Sequence, residues 1–504
     1  MPDLKELPLI SRARAHGNRA AIHSDGVVSR YDDLLRASAG MAKALLGESP
    51  DLAEARIAFM APAGFDYFAI QWAIWRAGGV AVPLSSSATE PELEHVLTDS
   101  RADRVVAVAR HAGKLAALCG RLGLPLLPPA GSGSGELPEI DPARRAMILY
   151  TSGTTSKPKG VVTTHATIGA QIESLVSAWE WSAGDRIPLF LPMHHVHGII
   201  NIAACALWSG ALVETFAKFD TAAVLKRVAA GAYTVFMAVP TIYVKLIEAL
   251  GSDDFSGDFG KEIRAGFAGM RLMVSGSAAL PPSIHEKWHA LTGQSLLERY
   301  GMTETGMMIS NPYRGERRQG AVGLPLPGVT IRLKSESGEV ITAENEPGEI
   351  QAKGPSIFHE YWNRPEVTTE SFDEGWFRTG DMAVVEDGYY RIMGRLSSDI
   401  IKSGGYKLSA LEIEAALLEH PLIRECAVVG VKDDTWGEAV AVAAALEDGA
   451  GGLDLGELRR WGKERLSPYK LPTRMLVVDQ LPRNAMGKVT KAAVGKWIDA
   501  SQTA

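Results

Sequence analysis

"ILYTSGTTSKPKGVV", residues 148–162, sets five hydroxyl residues and two glycines between two apolar runs. The first run reads as a strand, and the middle is made of residues that break regular structure, so the stretch reads as a loop after a strand. Backbone N–H groups and hydroxyls in such a loop suit phosphate oxygens, and Lys157 and Lys159 add positive charge. Taken alone, a Ser/Thr/Gly cluster reads first as a solvated turn. It is not a Walker loop, because Pro158 stands five residues after Gly153 and no Gly-Lys-Ser/Thr follows.

Upstream, the same texture repeats. "ARIAFMAPA" (55–63) is a strand entering a turn, "FDYFAIQWAIWRAGG" (65–79) has a helical period that stops at glycines, and "VAVPL" (80–84) and "ADRVVAVA" (102–109) are strands. Strands alternating with helices of this length predict βαβ units and a parallel sheet. "LPPAGSGSGELPEID" (127–141) reads as an exposed linker. "GIINIAACALWSGALV" (198–213) is interrupted by Asn201, Ser209 and Gly210 and is short for a membrane span, so it is expected to be a buried helix.

Downstream of about residue 320 short strands and Gly turns dominate: "AVGLPLPGVTIRLKSESGEVI" (321–341), "GEIQAKGP" (348–355) and "DGYYRIMGR" (387–395). "SALEIEAALLEHP" (409–421) is an amphipathic helix with Ser409 as cap and Pro421 as stop, followed by the buried strand "ECAVVGVKDD" (425–434). The expected fold is α/β: a large N-terminal domain, 1–396, of parallel-rich sheets between helices with a β-rich subdomain, and a small mobile α+β domain, 397–504.

The totals agree with this division. A chain of 504 residues exceeds one core. Apolar residues at 46% and charged ones at 22% are ordinary for a globular protein. A net charge of −7 without a long basic stretch argues against nucleic acid or an anionic membrane as the main partner. Cys119, Cys205 and Cys426 are too far apart for a disulfide framework or a CxxC site, which fits a reducing compartment. The N-terminus has no apolar run of signal-peptide length, and a cytoplasmic location is expected.

Further motifs change the weight given to the loop. "ERYGMTET" (298–305), "WFRTGD" (376–381), "GR" (394–395), "IKSGGYKLS" (401–409) and "LPRNAMGKVTK" (481–491) follow in order. With "YTSGTTSKPKG" (150–160), this set closely resembles the acyl-adenylate-forming superfamily of acyl-CoA synthetases, luciferases and peptide-synthetase adenylation domains. The resemblance spans nearly the whole chain. It implies transfer of AMP from ATP to a carboxylate, which turns a poor electrophile into a mixed anhydride that coenzyme A attacks.

By that resemblance Thr151, Ser152, Gly153, Thr154, Thr155 and Lys159 cradle the phosphates. Glu304 places Mg²⁺, a hard cation that needs few protein oxygens, and Thr303 contacts phosphate. Asp381 accepts the ribose hydroxyls and Arg395 adds a second ribose contact. Ser275, Gly276, Ser277 and Ala278 with Glu298, Tyr300, Gly301 and Met302 complete the nucleotide slot. Lys488 is the expected catalytic lysine of adenylation. Rotation of the small domain would then withdraw it and bring up Lys402, Ser403, Gly404 and Gly405 for coenzyme A, with Lys402 helping thioester formation. The hinge position, often Asp or Lys, is Ser397 here.

Arg271, before "RLMVSGSAAL", and Arg299, inside "LLERYGMTE", are out of place in a pocket for a fatty tail. Each also reads as structural: Arg299 paired with Glu298 or another carboxylate, Arg271 exposed. Together with "PMHHVHGIIN" (192–201) and "FMAVPTIY" (236–243) they resemble the malonyl-CoA synthetase subfamily, in which two arginines hold the distal carboxylate of malonate. Guanidinium forks pair with a carboxylate at two points. His197, Ser277 and Met302 are expected to line the same pocket; "HHVH" lacks the Cys or Glu neighbours of a zinc site. The implied reaction joins malonate, ATP and coenzyme A into malonyl-CoA. Open alternatives are methylmalonate, oxalate or succinate as the acid, loading of a carrier protein, and a non-catalytic nucleotide-sensing relative. Oligomeric state stays open, and acetylation of Lys488 by a regulatory acetyltransferase is a further expectation from the resemblance.

Overall fold

The alternating apolar segments of the first half form strands of one sheet. The structure is a computed structural model that describes residues 6–129, 131, 133, 135–151, 158–252, 255, 257–404, 406–433, 435–449, 452–483 and 489–502. This sheet runs, in spatial order, Glu360–Tyr361, Lys159–Thr164, Arg145–Thr151, Val80–Pro83, Arg56–Met60, Arg104–Ala107 and Leu126–Leu127. Arg56–Met60 pairs in parallel with both neighbours, as the βαβ pattern predicts. The helix Phe65–Arg76 between two of these strands is buried at every residue from Tyr67 to Arg76. It packs on the helix Tyr31–Leu46 and ends at Gly78, whose φ of +79° is a conformation a Cβ disfavours. The strands flanking residues 152–157 pair antiparallel, Thr151 opposite Lys159 and Leu149 opposite Val161.

A second sheet positions the site. Val235–Ala238, Leu272–Ser275 and Leu297–Met302 lie in parallel, and Gly306–Ser310 and Leu324–Pro325 continue it antiparallel. Phe236, Tyr243, Phe267 and Trp288 meet edge-on beside it, with ring centroids 4.8–6.2 Å apart. Each such contact adds about 0.5–1.5 kcal/mol beyond area burial. The Tyr243 hydroxyl donates to the Val274 carbonyl at 2.9 Å, which ties this cluster to the strand that ends at Ser275.

The apolar stretch after residue 197 is the expected buried helix, with one difference. His197–Ala204 winds as a π-helix before Cys205–Ser209 continues as α-helix, and Gly210 (φ +80°) ends it. The wider winding is uncommon and is frequent at functional sites. The described residues between 128 and 139 lie at the surface or half-buried, as the linker reading predicts. Among the described residues no helix is long and apolar enough to cross a membrane.

Short strands after residue 320 build a β-rich sheet that includes Trp376–Glu386 and Tyr389–Arg395. The last sheet joins Tyr406–Ser409, Ile400–Ser403, Gly437–Leu446 and Ile423–Asp433, with Arg474–Val477 alongside. Ser409 caps the helix Ala410–Leu417 by accepting the Glu412 N–H at 3.1 Å. Sheet membership changes between Arg395 and Ile400, and Ser397 is exposed in the turn between them.

Candidate active site

The C-terminal ends of parallel strands are where open α/β sheets take ligands. Ser275 ends its strand fully buried, and the chain turns there through Gly276 and Ser277. Gly276 lies flat on Arg299; a Cβ at that position would stand 2.6 Å from the guanidinium carbon. Ser277 holds φ +70°, a strained value for a non-glycine. Its hydroxyl lies 3.2 Å from His197 Nδ1 and 3.5 Å from Arg299 Nη2. Three expected substrate-side residues are therefore brought together: His197, Ser277 and Arg299.

Arg299 is only 4% exposed, and no carboxylate lies within ion-pair distance of it among the described residues. Its Nε has no hydrogen-bond partner among them either. Burial pushes its pKa down to about 10, so it keeps its charge at neutral pH. His197 is neutral: burial first, then Arg299 and His195, drive its pKa far down, and its Nε2 is buried without a partner. A buried cation of this kind is costly unless an anion meets it.

The pleat separates Glu298 from Arg299, because successive side chains point to opposite faces. Glu298 accepts the Gly320 N–H at 3.0 Å and stands 3.8 Å from His285, and burial raises its pKa. It is thus scaffold, contrary to its expected place among the nucleotide contacts, and it does not neutralise Arg299.

Arg271 also departs from expectation. It precedes Leu272–Ser275 at the strand's opposite end, where its N–H donates to the Thr234 carbonyl. Its Nε and Nη2 each donate to Asp185 at 2.7 Å, Nη1 donates to the Trp179 carbonyl at 2.8 Å, and Tyr313 stacks beneath it. Each nitrogen of the fork is engaged in this way, and Arg271 is not brought to the pocket of Arg299.

The expected ribose and metal residues do assemble. Tyr300 donates its hydroxyl to Asp381 Oδ2, and Arg395 Nε donates to Asp381 Oδ1 at 2.9 Å. Burial raises the Asp381 pKa, with Arg395 and Tyr300 opposing it. Glu304, 6% exposed, accepts the Tyr361 hydroxyl at 2.8 Å; its pKa is raised by burial, against which Arg395 and Lys159 also act. Lys159 Nζ sits 4.5 Å from the Tyr361 ring centre. Lys159, Glu304, Tyr361, Arg395, Asp381 and Tyr300 are thus one polar cluster: Tyr300 follows Arg299 on its strand and Glu304 lies in the turn after it, while Lys159, Tyr361, Asp381 and Arg395 come from other strands.

Glu304 has no basic side chain within ion-pair distance among the described residues, and no three His, Cys, Asp or Glu there could hold a metal together. One buried carboxylate short of counter-charge fits a Mg²⁺ that is held mostly by phosphate and water. Met302 and Gly301 run along the strand, the Met302 N–H donating to Thr305 at 3.3 Å, and Thr303 is half-buried in the turn. Ala278 is exposed just past Ser277. Thr151 ends its strand beside Lys159, 3.5 Å from that residue's carbonyl oxygen. Ser152, Gly153, Thr154, Thr155, Gly405 and Lys488 lie outside the described residues.

Lys402 is apart from this cluster, paired with Glu336 at 3.1 Å on the surface. Gly404 (φ +57°) lies against the Trp436 ring, where a Cβ would come within 2.8 Å. Trp436 is 56% exposed, and Tyr406 and Tyr469 stack 4.6 Å apart and nearly parallel. The sequence reading did not single out these aromatics; of them only Tyr406 lies within the quoted motif "IKSGGYKLS". It also missed Tyr361, for which "EYWN" gave only an aromatic run.

Residues 9–362 match the family described as AMP-binding enzyme, and residues 412–488 match the AMP-binding enzyme C-terminal domain. A mitochondrial malonate–CoA ligase of Mus musculus is 42% identical over 98% of this chain and 91% of its own length. ATP-bound MatB from Rhodopseudomonas palustris superposes with a TM-score of 0.86 at 32% identity, over 97% of this chain and 98% of MatB. A malonyl-CoA ligase with methylmalonyl-CoA and AMP bound is more similar in sequence, 38%, yet superposes less well, with a TM-score of 0.68 over 95% of this chain and 100% of the other.

Proposed function

The chain belongs to the AMP-binding enzyme family, and from that premise we propose that it ligates malonate to coenzyme A through malonyl-AMP, releasing AMP and pyrophosphate. One observation carries the choice of acid: Arg299 is a buried, charged guanidinium with no carboxylate of the protein beside it among the described residues. The missing anion is the far carboxylate of a short diacid. Neutral His197 and the Ser277 hydroxyl supply further polar contacts at the same place.

The near carboxylate then lies toward the nucleotide cluster. Its oxygen attacks the α-phosphorus, and the bond to pyrophosphate breaks. Asp381, held by Tyr300 and Arg395, accepts the ribose hydroxyls. Glu304 holds Mg²⁺, which when bound offsets phosphate charge. Lys488 stabilises the reacting carboxylate and phosphate. The thiol of coenzyme A next attacks the acyl carbon and AMP leaves. We place the hinge between these steps at Ser397, with 1–396 and 397–504 as the two bodies, and assign Lys402, Ser403, Gly404 and Gly405 to the coenzyme A side. A cytoplasmic location and acetylation of Lys488 complete the reading; cell fractionation and acetyl-lysine mass spectrometry test them.

A panel of acids scored by ATP-dependent pyrophosphate release tests the substrate. Malonate is expected first. Methylmalonate, whose thioester a solved relative holds, should follow within about 1–3 kcal/mol, the size of a one-methyl discrimination. Acetate should trail by about 10²–10⁴, the value of two charged hydrogen bonds at roughly 1.5–3 kcal/mol each. Acetate turned over as well as malonate would overturn the assignment.

A further inference from the structure

Three buried charged groups meet where the chain passes into its last sheet. Lys491 Nζ stands 2.7 Å from Asp399 Oδ1 and 2.8 Å from Glu414 Oε1, and all three side chains are about 14–15% exposed. They come from separate elements: Lys491 begins the helix Lys491–Gln502, Glu414 lies in the helix Ala410–Leu417, and Asp399 is in the turn after Arg395. Exposed ion pairs on this surface would contribute little. This one is enclosed, and its parts are fixed by further bonds. Glu414 Oε1 accepts the Val428 N–H at 2.7 Å, so that carboxylate cannot swing away.

Asp399 is the informative member. Its other oxygen, Oδ2, accepts the backbone N–H of Arg395 at 3.0 Å, and its own N–H donates to the Arg395 carbonyl at 2.8 Å. Gly394, at φ +126°, makes room for it; a Cβ there would fall 2.4 Å from the Asp399 Cβ. Arg395 in turn holds Asp381. One carboxylate thus bonds to Lys491 on one side and, on the other, to the residue that grips the ribose-binding aspartate. Lys491 is three positions after Lys488. Between them, the Thr490 N–H donates to the Pro482 carbonyl at 2.8 Å, and Val489 bridges to Arg483. The segment's exit is tethered, and Lys491 is the charged end of that tether.

We propose that Lys491 is a positioning residue: by bonding Asp399 and Glu414 together it locks the turn at 395–399 to the segment that carries Lys488, and so sets the orientation in which adenylation occurs. The Asp399–Arg395 bonds span Ser397, so a rotation there breaks them, while the Lys491–Glu414 half of the clasp lies wholly beyond it. The charges agree with a lasting clasp. Burial opposes the ammonium, but Glu414 and Asp399 outweigh it and raise the Lys491 pKa.

The inference rests on the reading of Lys488 as the catalytic lysine, so full-length Lys488→Ala is measured beside Lys491→Met, Lys491→Arg and Asp399→Asn. Two rates are read for each: ATP–pyrophosphate exchange with malonate, and thioester formation from supplied malonyl-AMP. Lys491→Met and Asp399→Asn should each slow exchange by about tenfold to a hundredfold, the cost of misplacing a group by an ångström. They should leave thioester formation within about twofold, and Lys491→Arg should recover most of the exchange, because it restores the charge-assisted bonds. Equal loss of both rates in Lys491→Met and Asp399→Asn means a merely structural clasp and overturns the proposal; so does unchanged exchange. Should Lys491→Met fail to fold, Asp399→Asn, which keeps the shape, decides alone. If Lys488→Ala retains exchange, it is the reading of Lys488 that fails.

Discussion

Two arginines lie near the two ends of one short strand, one preceding it and one on the strand beside it, and do opposite work. At the start of Leu272–Ser275, Arg271 spends its fork on Asp185 and a carbonyl. Beyond the strand's end, next to Gly276 and Ser277, Arg299 is more deeply buried and has no acid of its own among the described residues. A guanidinium that is satisfied within the fold stabilises that fold. One that is left unsatisfied in the interior destabilises it and waits for a ligand.

The largest expected effect breaks the second case. Arg299→Met keeps an unbranched side chain and deletes the charge. Malonate kcat/KM should fall by about 10²–10⁴, as two charged hydrogen bonds at roughly 1.5–3 kcal/mol each are lost. The unfolding midpoint without ligands should hold or rise, because an uncompensated buried charge has been removed. A variant that loses stability but keeps malonate turnover would place Arg299 with Arg271.

Arg271→Ala is the converse and should be smaller in activity but plain in stability. It strands Asp185, whose side chain then keeps, among the described residues, the Ser182 N–H and hydroxyl and the Thr234 hydroxyl as donors. Breaking a buried pair costs about 3–5 kcal/mol, and the partial exposure of Arg271 favours the lower figure. Burial works to raise the Asp185 pKa, yet Arg271 and the other donors hold it below its usual 3.8. A depressed carboxylate contributes stability above that usual value and loses it as pH falls through the lower folded one. The gap in urea midpoint between wild type and variant should therefore persist down to about pH 4 and close only in stronger acid. Malonate KM at neutral pH should stay put.

The contrast was invisible in the sequence for a physical reason. Both arginines adjoin apolar runs of strand length, and both adjoin family motifs. What separates them is Asp185, 86 positions upstream, for one, and the lack of any counterpart among the described residues for the other. Contiguous features were legible: the βαβ rhythm, the strand before residue 152, the Ser409 cap, and the ordered motifs that assemble Tyr300, Glu304, Asp381 and Arg395. Features made by folding were not. Glu298 faces away from the pocket because of the pleat, and Tyr361 reaches Glu304 from a strand paired to Lys159–Thr164.

Tyr361 gives the smallest and most diagnostic of these tests, because with Glu304 it shows a third way to hold a buried charge. Glu304 is neither ion-paired like Arg271 nor bare like Arg299; one hydroxyl supports it. Burial, partly offset by Tyr361, Arg395 and Lys159, raises its pKa above the usual 4.5. If its ionised form is the one that places Mg²⁺, as proposed, the acid limb of the adenylation profile should lie above pH 4.5. Tyr361→Phe removes a donor that favours the ion and should move that limb up by about 1–2 pH units, one unit being 1.36 kcal/mol. Stability has the opposite sign to that of Asp185: a raised carboxylate binds its proton more tightly when folded, so the ligand-free fold weakens as pH climbs from the usual value through the folded one. Glu304→Gln should accordingly lose adenylation while unfolding later than wild type at neutral pH, with no such gain below about pH 4. An acid limb that ignores Tyr361→Phe would remove Glu304 from the metal side of the site and leave Arg299 as the buried charge there that has no carboxylate partner of its own among the described residues.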